Sequence, residues 1–498
     1  MRRALVALDQ GTTSSRAVVF DICGRVLAMH TVPFDQIYPK PGWVEHNPSD
    51  ILNSQIESLR TAVRKSGIPV EAIAAIGIAN QRETALLWDR STGEPVSNAI
   101  VWQCRRTAPL VERLIADGAR EIIRKKTGLI PDAYFSATKL AWLLDTYNLR
   151  GRAERGELCF GTVDTFLMWH MLEGRPHLTD CSNASRTMLF NITSLDWDDE
   201  LLAMLNIPRA LLPETRDTIG MFGTLDPSIL GRGVPVTAVA GDQQAALFGQ
   251  ACFEPGMVKN TYGTGCFLLK NIGDRAVLSE NRLLTSVAWR WRGRATYALE
   301  GSVFVAGAAV QWLRDELRII ERSEETETLA RSIPDNQGVY FVPAFTGLGA
   351  PWWDMYGRGL IIGMTRGTGR AHFARAALES IAYQTADLLD AMERDDPSPR
   401  ASLRVDGGAS ANGFLLQFQA DILNAEIERP RVLETTALGA AWMAGLGAGV
   451  YESAAELSGL WQPDLAYRPT MEKSVRDRNL DGWRRAVLRA GRWAEPQD

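Results

Sequence analysis

The chain has 498 residues, 46% of them hydrophobic and 23% charged, with a formal net charge of −5. That length exceeds what one hydrophobic core usually serves, so two domains are expected, and the mild acidity argues against a nucleic-acid-binding surface. Six cysteines at 23, 104, 159, 181, 252 and 266 show no paired or metal-ligand spacing, and no run approaches about 18 uninterrupted apolar residues, so free thiols, a cytoplasmic location and no membrane insertion are expected.

The opening Met1–Asp9 run looks only briefly like a secretory signal, because its apolar stretch stops at Asp9. Residues 4–8 and 17–20 read as strands around the polar turn DQGTTSSR at 9–16. A third strand is expected at 26–32, and Asn47-Pro48-Ser49-Asp50 caps a helix running to about Lys65. Residues 73–78 form a buried-strand candidate ending abruptly at Asn80-Gln81-Arg82-Glu83. Another apolar strand, 234–239, ends at Gly241-Asp242-Gln243. After a break at Glu254-Pro255-Gly256, residues 258–261 and 266–269 flank the glycine turn Tyr262-Gly263-Thr264-Gly265, echoing the first hairpin. Residues 285–291 and 294–300 flank Arg292-Gly293, and the basic, aromatic run 287–294 is expected as an exposed hairpin tip, with a subunit contact as the weaker alternative. Phe373, Ala377, Ile381, Gln384 and Leu388 step by three and four, which predicts a helix over 370–392 ended by the two prolines of 393–400. A strand at 402–405 then leads into the turn Asp406-Gly407-Gly408-Ala409-Ser410-Ala411-Asn412. The alternation predicts an α/β protein divided into residues 1–253 and 254–498, each half opening on a glycine-bearing hairpin.

Three of these turns carry groups suited to phosphoryl chemistry. In the first, Gly11 permits the bend, while Thr12, Thr13, Ser14 and Ser15 offer hydroxyl and amide donors to a polyphosphate. Arg16 adds fixed charge, and Asp9 stands where it can hold magnesium through water. The same residues also suit an ordinary polar β-turn. In the second, Asp242 emerges from a strand with a helix behind it, placed either to accept a substrate hydroxyl proton or simply to cap that helix. In the third, Gly407 and Gly408 allow backbone to approach a flat ring or phosphate, and Asn412 suits an adenine edge; a plain left-handed turn explains them equally well. No Gly-x-x-x-x-Gly-Lys-Ser/Thr occurs, and Gly263/Gly265 lack the third glycine of a dinucleotide fingerprint. Phosphates, if bound, bind to hairpins.

In this order the three turns resemble the phosphate-1, phosphate-2 and adenosine motifs of the actin/hexokinase/Hsp70 superfamily. Within it the chain resembles the FGGY carbohydrate kinases, and most closely their glycerol-phosphorylating members. The resemblance is carried by LDQGTTSSRAVVFD (8–21), QIYPKPGWVEHNP (36–48), GIANQRET (77–84), NAIVWQCRRT (98–107), GTVDTFLMWHM (161–171), TDCSNASRTMLFNI (179–192), GDQQAALFGQ (241–250), KNTYGTGCF (259–267), VPAFTGLGAPWWD (342–354) and VDGGASANGFLLQFQADIL (405–423). It implies two RNase H-like, actin-like ATPase domains with an interdomain active-site cleft. It also implies ATP-dependent phosphorylation of glycerol to sn-glycerol 3-phosphate, magnesium dependence, and a homodimer or homotetramer.

By the same resemblance, Arg82, Glu83, Trp102, Tyr134, Asp242, Gln243 and Phe267 fall on glycerol-site positions. Arg82 can donate and Glu83 accept at adjacent hydroxyls, with Trp102 and Phe267 as flat walls; on pattern alone, a solvated ion pair and ordinary core aromatics fit the same residues. Thr12, Thr13, Ser14, Arg16, Thr264, Gly307, Gln311, Gly408 and Asn412 fall on ATP positions. Asp242 is preferred over Glu83 as general base because it belongs to the phosphate-2 turn. Residues 218–235 are short, with Arg232 as their one basic residue and no histidine. The basic inhibitor loop and phosphorylated histidine of some bacterial members are therefore not expected. The rival readings are a kinase of the same family acting on xylulose, gluconate or erythritol, and a non-kinase, actin- or Hsp70-like ATPase module.

Overall fold

A computed structural model describes residues 3–398 and 402–495. Met1 and Arg2 of the signal-like run, and Pro399 and Arg400 of the expected helix stop, lie outside them. The strands that organise the molecule are β1 (Ala4–Gln10), β2 (Ser14–Asp21), β3 (Val26–Pro33), β4 (Ile73–Asn80), β5 (Ile219–Thr224), β6 (Pro235–Gly241) and β7 (Val258–Tyr262). They continue with β8 (Cys266–Gly273), β9 (Leu284–Trp291), β10 (Arg294–Val303), β11 (Leu403–Asp406), β12 (Ile427–Pro430) and β13 (Pro463–Tyr467). The helices that matter for the site are α1 (Pro48–Ser66), α2 (Ser136–Thr146), α3 (Asp242–Gly249), α4 (Gly307–Asp315), α5 (Arg370–Asp395), α6 (Gly413–Leu423) and α7 (Thr435–Gly447).

The thirteen strands form one continuous sheet, in the order β13-β12-β11-β7-β8-β10-β9-β5-β6-β4-β1-β2-β3. The same pairing pattern occurs in it twice. In the first half β1 runs antiparallel to β2, β2 antiparallel to β3, β1 parallel to β4, and β4 parallel to β6. In the second, β7 runs antiparallel to β8, β8 antiparallel to β10, β7 parallel to β11, and β11 parallel to β12. The echo between the two glycine hairpins is thus the visible part of a five-strand repeat. The halves meet where β5 touches β9 through one residue pair, Ile219 and Trp291.

Side-chain size on the two faces of the first half decides what covers each. Alternate strand residues face opposite sides. Val6, Leu8, Ile76 and Ile78 enter one apolar cluster, which takes in Ile51 and Leu59 of α1. Leu5, Ala7, Ala75, Ala79, Ala238 and Ala240 enter the other, with Leu438, Trp442 and Met443 of α7. Because that second face is built largely of alanine, α7 lies almost on the backbone of the sheet. A Cβ at Gly77 would stand 2.1 Å from the Ala440 carbonyl oxygen. The helix also crosses α3 without intervening side chains: a Cβ at Gly439 would meet the Ala245 oxygen at 1.8 Å, and one at Gly249 the Thr435 oxygen at 2.0 Å. Although α7 belongs to the second half in sequence, its packing is on the first.

Asn47 caps α1, accepting from Ser49 N at 3.0 Å, and Pro48 occupies the first turn, where its missing N–H costs nothing. The helix expected at 370–392 is α5, which ends at Asp395, ahead of Pro397. The expected exposed tip at 287–294 is largely interior. Val287, Ala288 and Trp289 are buried, with Trp289 edge-on to Phe248 at 5.2 Å. Only the turn itself, Arg292-Gly293, and Arg294 are exposed. The reason is β9's place inside the sheet, paired to β10 along its length, which the local basic composition did not signal.

The crossing of α7 over α3 predicts the effect of Gly439→Ala. Its Cβ would collide with backbone that cannot rotate away, costing about 1–3 kcal/mol. The urea midpoint of the purified variant should fall accordingly; an unchanged midpoint would mean that the helices do not cross this closely.

Candidate active site

Gln10 of β1, Asn80 of β4 and Gly241 of β6 are in register across three adjacent parallel strands. The chain therefore leaves all three at one level. It enters the turn at Gly11, the segment Gln81-Arg82-Glu83, and α3 at Asp242. The carboxyl ends of parallel strands are where α/β sheets place ligands.

At the first exit, Gly11 N donates to Ser14 O at 3.0 Å to close the turn. Gln81 Nε2 donates to Gly11 O at 2.9 Å and to Gln10 Oε1 at 3.1 Å, tying the turn to the neighbouring exit. Thr13 is exposed and Thr12 and Ser14 half-buried, while the Ser15 hydroxyl is buried against Ser54 Oγ at 2.8 Å. Trp102 Nε1 donates to Thr12 Oγ1 at 3.0 Å. Arg16 forms an ion pair with Glu434, just before α7, and donates Nε to Thr31 Oγ1 at 3.2 Å. Burial pushes the Asp9 carboxyl up to about 7, with Arg16 pulling it down and the charges of Asp242 and Glu434 adding to the rise. A cation at this position would relieve that stress. Among the described residues no group of three or more His, Cys, Asp or Glu converges on a metal position. A lone carboxylate of this kind would suit magnesium brought in with a phosphate-bearing ligand and does not make a cage built by protein alone.

At the second exit sits a sealed cluster of charge. Arg82 donates from Nη1 to Glu300 Oε2 at 2.6 Å and from Nη2 to Glu300 Oε1 at 2.9 Å, a two-pronged pair joining β10 to the end of β4. Its Nη1 also reaches Gln244 Oε1 at 3.3 Å, and its Nε lies 3.2 Å from Asp242 Oδ1. Arg186 donates Nε to Glu83 Oε1 at 2.6 Å and Nη2 to Glu300 Oε1 at 3.3 Å. Burial raises the Glu83 carboxyl above its usual range against the pull of Arg186 and Arg82. Burial would raise Glu300 as well, but the same two guanidinium groups outweigh it and hold that carboxyl at about 2. The pair Arg82–Glu83 is therefore not a solvated surface pair: their side chains are 2% and 1% exposed, against 30% for Asp242.

Asp242 is the first residue of α3, with Gly241 as the cap, and its Oδ1 accepts from Gln243 N at 2.7 Å. Glycine is needed at 241 because a Cβ there would stand 2.7 Å from Arg82 Cδ. Gln243 Oε1 accepts from Lys259 Nζ at 2.5 Å, and Lys259 also donates to Thr261 Oγ1 at 3.0 Å. Burial depresses the Lys259 ammonium to about 8. Tyr134 packs edge-on to Trp102 with ring centroids 5.5 Å apart.

The remaining predicted residues gather around the second hairpin. Gly307 N, at the start of α4, donates to Gly263 O at 3.1 Å, and a Cβ at 307 would meet that oxygen at 2.6 Å. Gln311 is exposed one turn further on, and Thr264 is exposed at the hairpin tip. Gly407 holds φ +84 with its Cβ direction blocked by Tyr262 O at 2.4 Å, while Gly408 faces open space. Asn412 caps α6 by accepting from Leu415 N at 3.0 Å and donates to Thr326 Oγ1 at 3.3 Å. Phe267 is half-buried on β8, opposite Thr261 and Ser302. Among the described residues, no hydrogen bond, ion pair or ring contact ties Thr264, Phe267 or Gln311 to the charge cluster.

Sequence reasoning singled out neither Glu300, Arg186, Lys259 nor Gln244. Glu300 did carry a signal: it is a charge following the apolar run Tyr297-Ala298-Leu299 inside a strand, whereas Lys259 sits in the mixed strand Val258-Lys259-Asn260-Thr261-Tyr262 and stood out less. Such a charge is tolerated only where a partner awaits it.

The model of the FGGY family of carbohydrate kinases, N-terminal domain, matches residues 4–249, and that of its C-terminal domain matches residues 258–448. The chain is 58% identical over 490 residues to Glycerol kinase 2 of Thermotoga maritima, covering 98% of this chain and 99% of that one. It is 58% identical over 490 residues to the glycerol kinase of Aromatoleum aromaticum, with the same coverage. The crystal structure of Plasmodium falciparum glycerol kinase with ADP superposes with a TM-score of 0.93 at 34% identity, covering 100% of this chain and 99% of the other. With two domain models spanning most of its length and relatives this similar from end to end, the chain belongs to the FGGY family of carbohydrate kinases.

Proposed function

We propose that this protein transfers the γ-phosphoryl group of ATP to a terminal hydroxyl of glycerol, giving sn-glycerol 3-phosphate and ADP. The observation that carries the reading is the convergence of Arg82, Glu83 and Asp242 at adjacent strand ends, in a chain whose relatives named as glycerol kinases match it over nearly its whole length. Glycerol is three carbons with three hydroxyls, so its site needs several directional polar groups close together. Arg82 and Glu83 supply a donor and an acceptor, Gln243 a further amide, and Trp102, Tyr134 and Phe267 the flat walls. The gluconate kinase of Lactobacillus acidophilus shares the fold at 21% identity with a TM-score of 0.86, so the fold alone does not choose among acceptors.

In this reading Thr12, Thr13 and Ser14 and the second hairpin at Thr264 hold the phosphates, with Arg16 held near the turn by Glu434. Gly307, Gln311, Gly408 and Asn412 line the nucleoside side; Asn412 would meet a base edge only by sharing or releasing its capping bond. Asp9 would hold magnesium through water, and the ion would supply charge neutralisation on the phosphates. The acceptor oxygen attacks the γ-phosphorus as the bond to the ADP oxygen breaks, and the hydroxyl proton passes to the Asp242 carboxylate and on to solvent. Asp242 suits the base role better than Glu83 because it is open to solvent and free of a two-pronged partner, whereas Glu83 is sealed against Arg186.

Asp242→Asn should lower kcat about 10²–10⁴-fold, the usual worth of a positioned base, while calorimetric glycerol and ADP affinities stay within a few-fold of the parent. Turnover near the parent's would remove Asp242 from that role. Phe267→Ala should weaken glycerol binding more than ATP binding in calorimetry, and equal losses would place the ring elsewhere. ADP release from Mg-ATP, measured with glycerol, longer polyols and sugars, and no acceptor, should be strongly stimulated by glycerol. Stimulation by a longer polyol or sugar instead would move the substrate within the family, and acceptor-independent hydrolysis would mark an ATPase module.

A further inference from the structure

Glu83 has an unusual backbone. Its φ is +62, in the left-handed region that a residue with a Cβ rarely adopts. Thr84 N donates to Arg82 O at 2.8 Å across it, so the chain reverses about this single residue. Strain of this kind persists only when surrounding groups over-determine the conformation. Two contacts on Glu83 do so: Ser136 Oγ, at the start of α2, donates to its carbonyl at 3.1 Å, and Arg186 Nε donates to its carboxylate at 2.6 Å.

Arg186 is itself completely buried. Its guanidinium carbon lies 5.6 Å from the Tyr134 ring centroid and 5.3 Å from that of Phe135, and its Nη2 is committed to Glu300. It thus touches three of the groups that shape the polyol end of the site: the Glu83 carboxylate, the Tyr134 ring, and the carboxylate that holds Arg82.

We propose that Arg186 is a positioning residue for polyol recognition: it fixes the Glu83 carboxylate, in its left-handed turn, at the orientation that accepts the acceptor's hydroxyls, without itself contacting the phosphoryl group. The inference rests on the reading that Glu83 binds glycerol. The groups that bear on Glu83 electrostatically are Arg186, Arg82 and Glu300, with Tyr134 and the buried ammonium of Lys139 nearby and Asp242 beyond Arg82. Lys139 spends its hydrogen bonds on the Tyr134 and Phe135 carbonyls and cannot replace the lost guanidinium. Without Arg186, burial keeps its upward pressure on the Glu83 carboxyl while the opposing charge nearest to it is gone, so protonation starts at higher pH and glycerol recognition fails as pH falls.

The test compares parent, Arg186→Gln and Arg186→Lys enzymes in steady-state assays from pH 6 to pH 8.5. In the Gln variant, glycerol KM at pH 8 should rise about ten-fold or more while ATP KM changes less than two-fold, and glycerol KM should climb further toward pH 6 relative to the parent. The Lys variant keeps the charge but loses the fork, so it should show the raised glycerol KM with a parent-like pH profile. Equal rises in both KM values, or a pH profile unchanged in the Gln variant, would assign Arg186 a packing role only and overturn the proposal. If the Gln variant does not fold, the Lys variant decides: a glycerol KM equal to the parent's overturns it, and a selective rise supports it. A parent that does not phosphorylate glycerol would instead overturn the functional reading, so the two failures are distinguishable.

Discussion

The constraint on which the site depends is a set of four buried charges, two guanidinium groups (Arg82, Arg186) against two carboxyls (Glu83, Glu300), to which Asp242 is attached at the edge through Arg82. Three come from the first half of the chain and one, Glu300, from β10 of the second. Burying any of these ions alone would be prohibitive, and deleting one member of such a pair typically costs about 3–5 kcal/mol because the other is left uncompensated. The network therefore fixes how β4 and β10 approach each other. It is also costly by comparison with an apolar contact of the same size, which argues that it is kept for the orientation it imposes and not for stability.

That orientation reaches Asp242 through its contact with Arg82. Its place follows from the alanine-rich face of the sheet: small residues on β1, β4 and β6 let α7 lie against the backbone, and the glycine crossing between α7 and α3 sets where α3 begins. The same helix is preceded by Glu434, the partner of Arg16 beside the first turn. One element from late in the chain thus braces both the turn with its hydroxyl cluster and the helix that opens on Asp242. Size patterning on a strand face, more than any single contact, is what brings residues 16, 242 and 434 into one neighbourhood.

Much of this was legible beforehand. The two hairpins and the strand ending at Asn80 follow from apolar runs bounded by polar turns, and the long helix α5 from three-to-four spacing, because those patterns are local. The repeat was visible only as two glycine turns, since the five-strand pairing depends on contacts between residues hundreds of positions apart. For the same reason 287–294 was misjudged as a tip: an arginine-rich run looks solvated until its neighbours in the sheet are known. At the site, Arg82, Glu83 and Asp242 announced themselves as polar residues at abrupt strand ends. Glu300 and Arg186 did not, because a buried ion's meaning lies in its partner, and no spacing rule links position 300 to position 82.

The carboxylates of the site differ in accessibility, and the proposed reaction assigns their roles accordingly. Glu300 is fully buried and grips Arg82 with both oxygens, so it has neither a free acceptor nor a route for a proton. Glu83 is nearly as sealed, yet one of its oxygens carries the bond from Arg186 while the other makes no side-chain bond to the cluster, which leaves an acceptor for a hydroxyl. Asp242 alone among the three is substantially open, 30% exposed, and sits at a helix start beside the first turn. A group that must take a proton in each cycle and return it to water needs that opening, while a group that must recognise a hydroxyl gains from being sealed, where an unpaired partner is costly and discrimination is greatest. In the proposed reaction, burial, set by the strand, turn and helix start on which Glu300, Glu83 and Asp242 respectively stand, would separate anchoring, recognition and proton transfer among three chemically similar side chains.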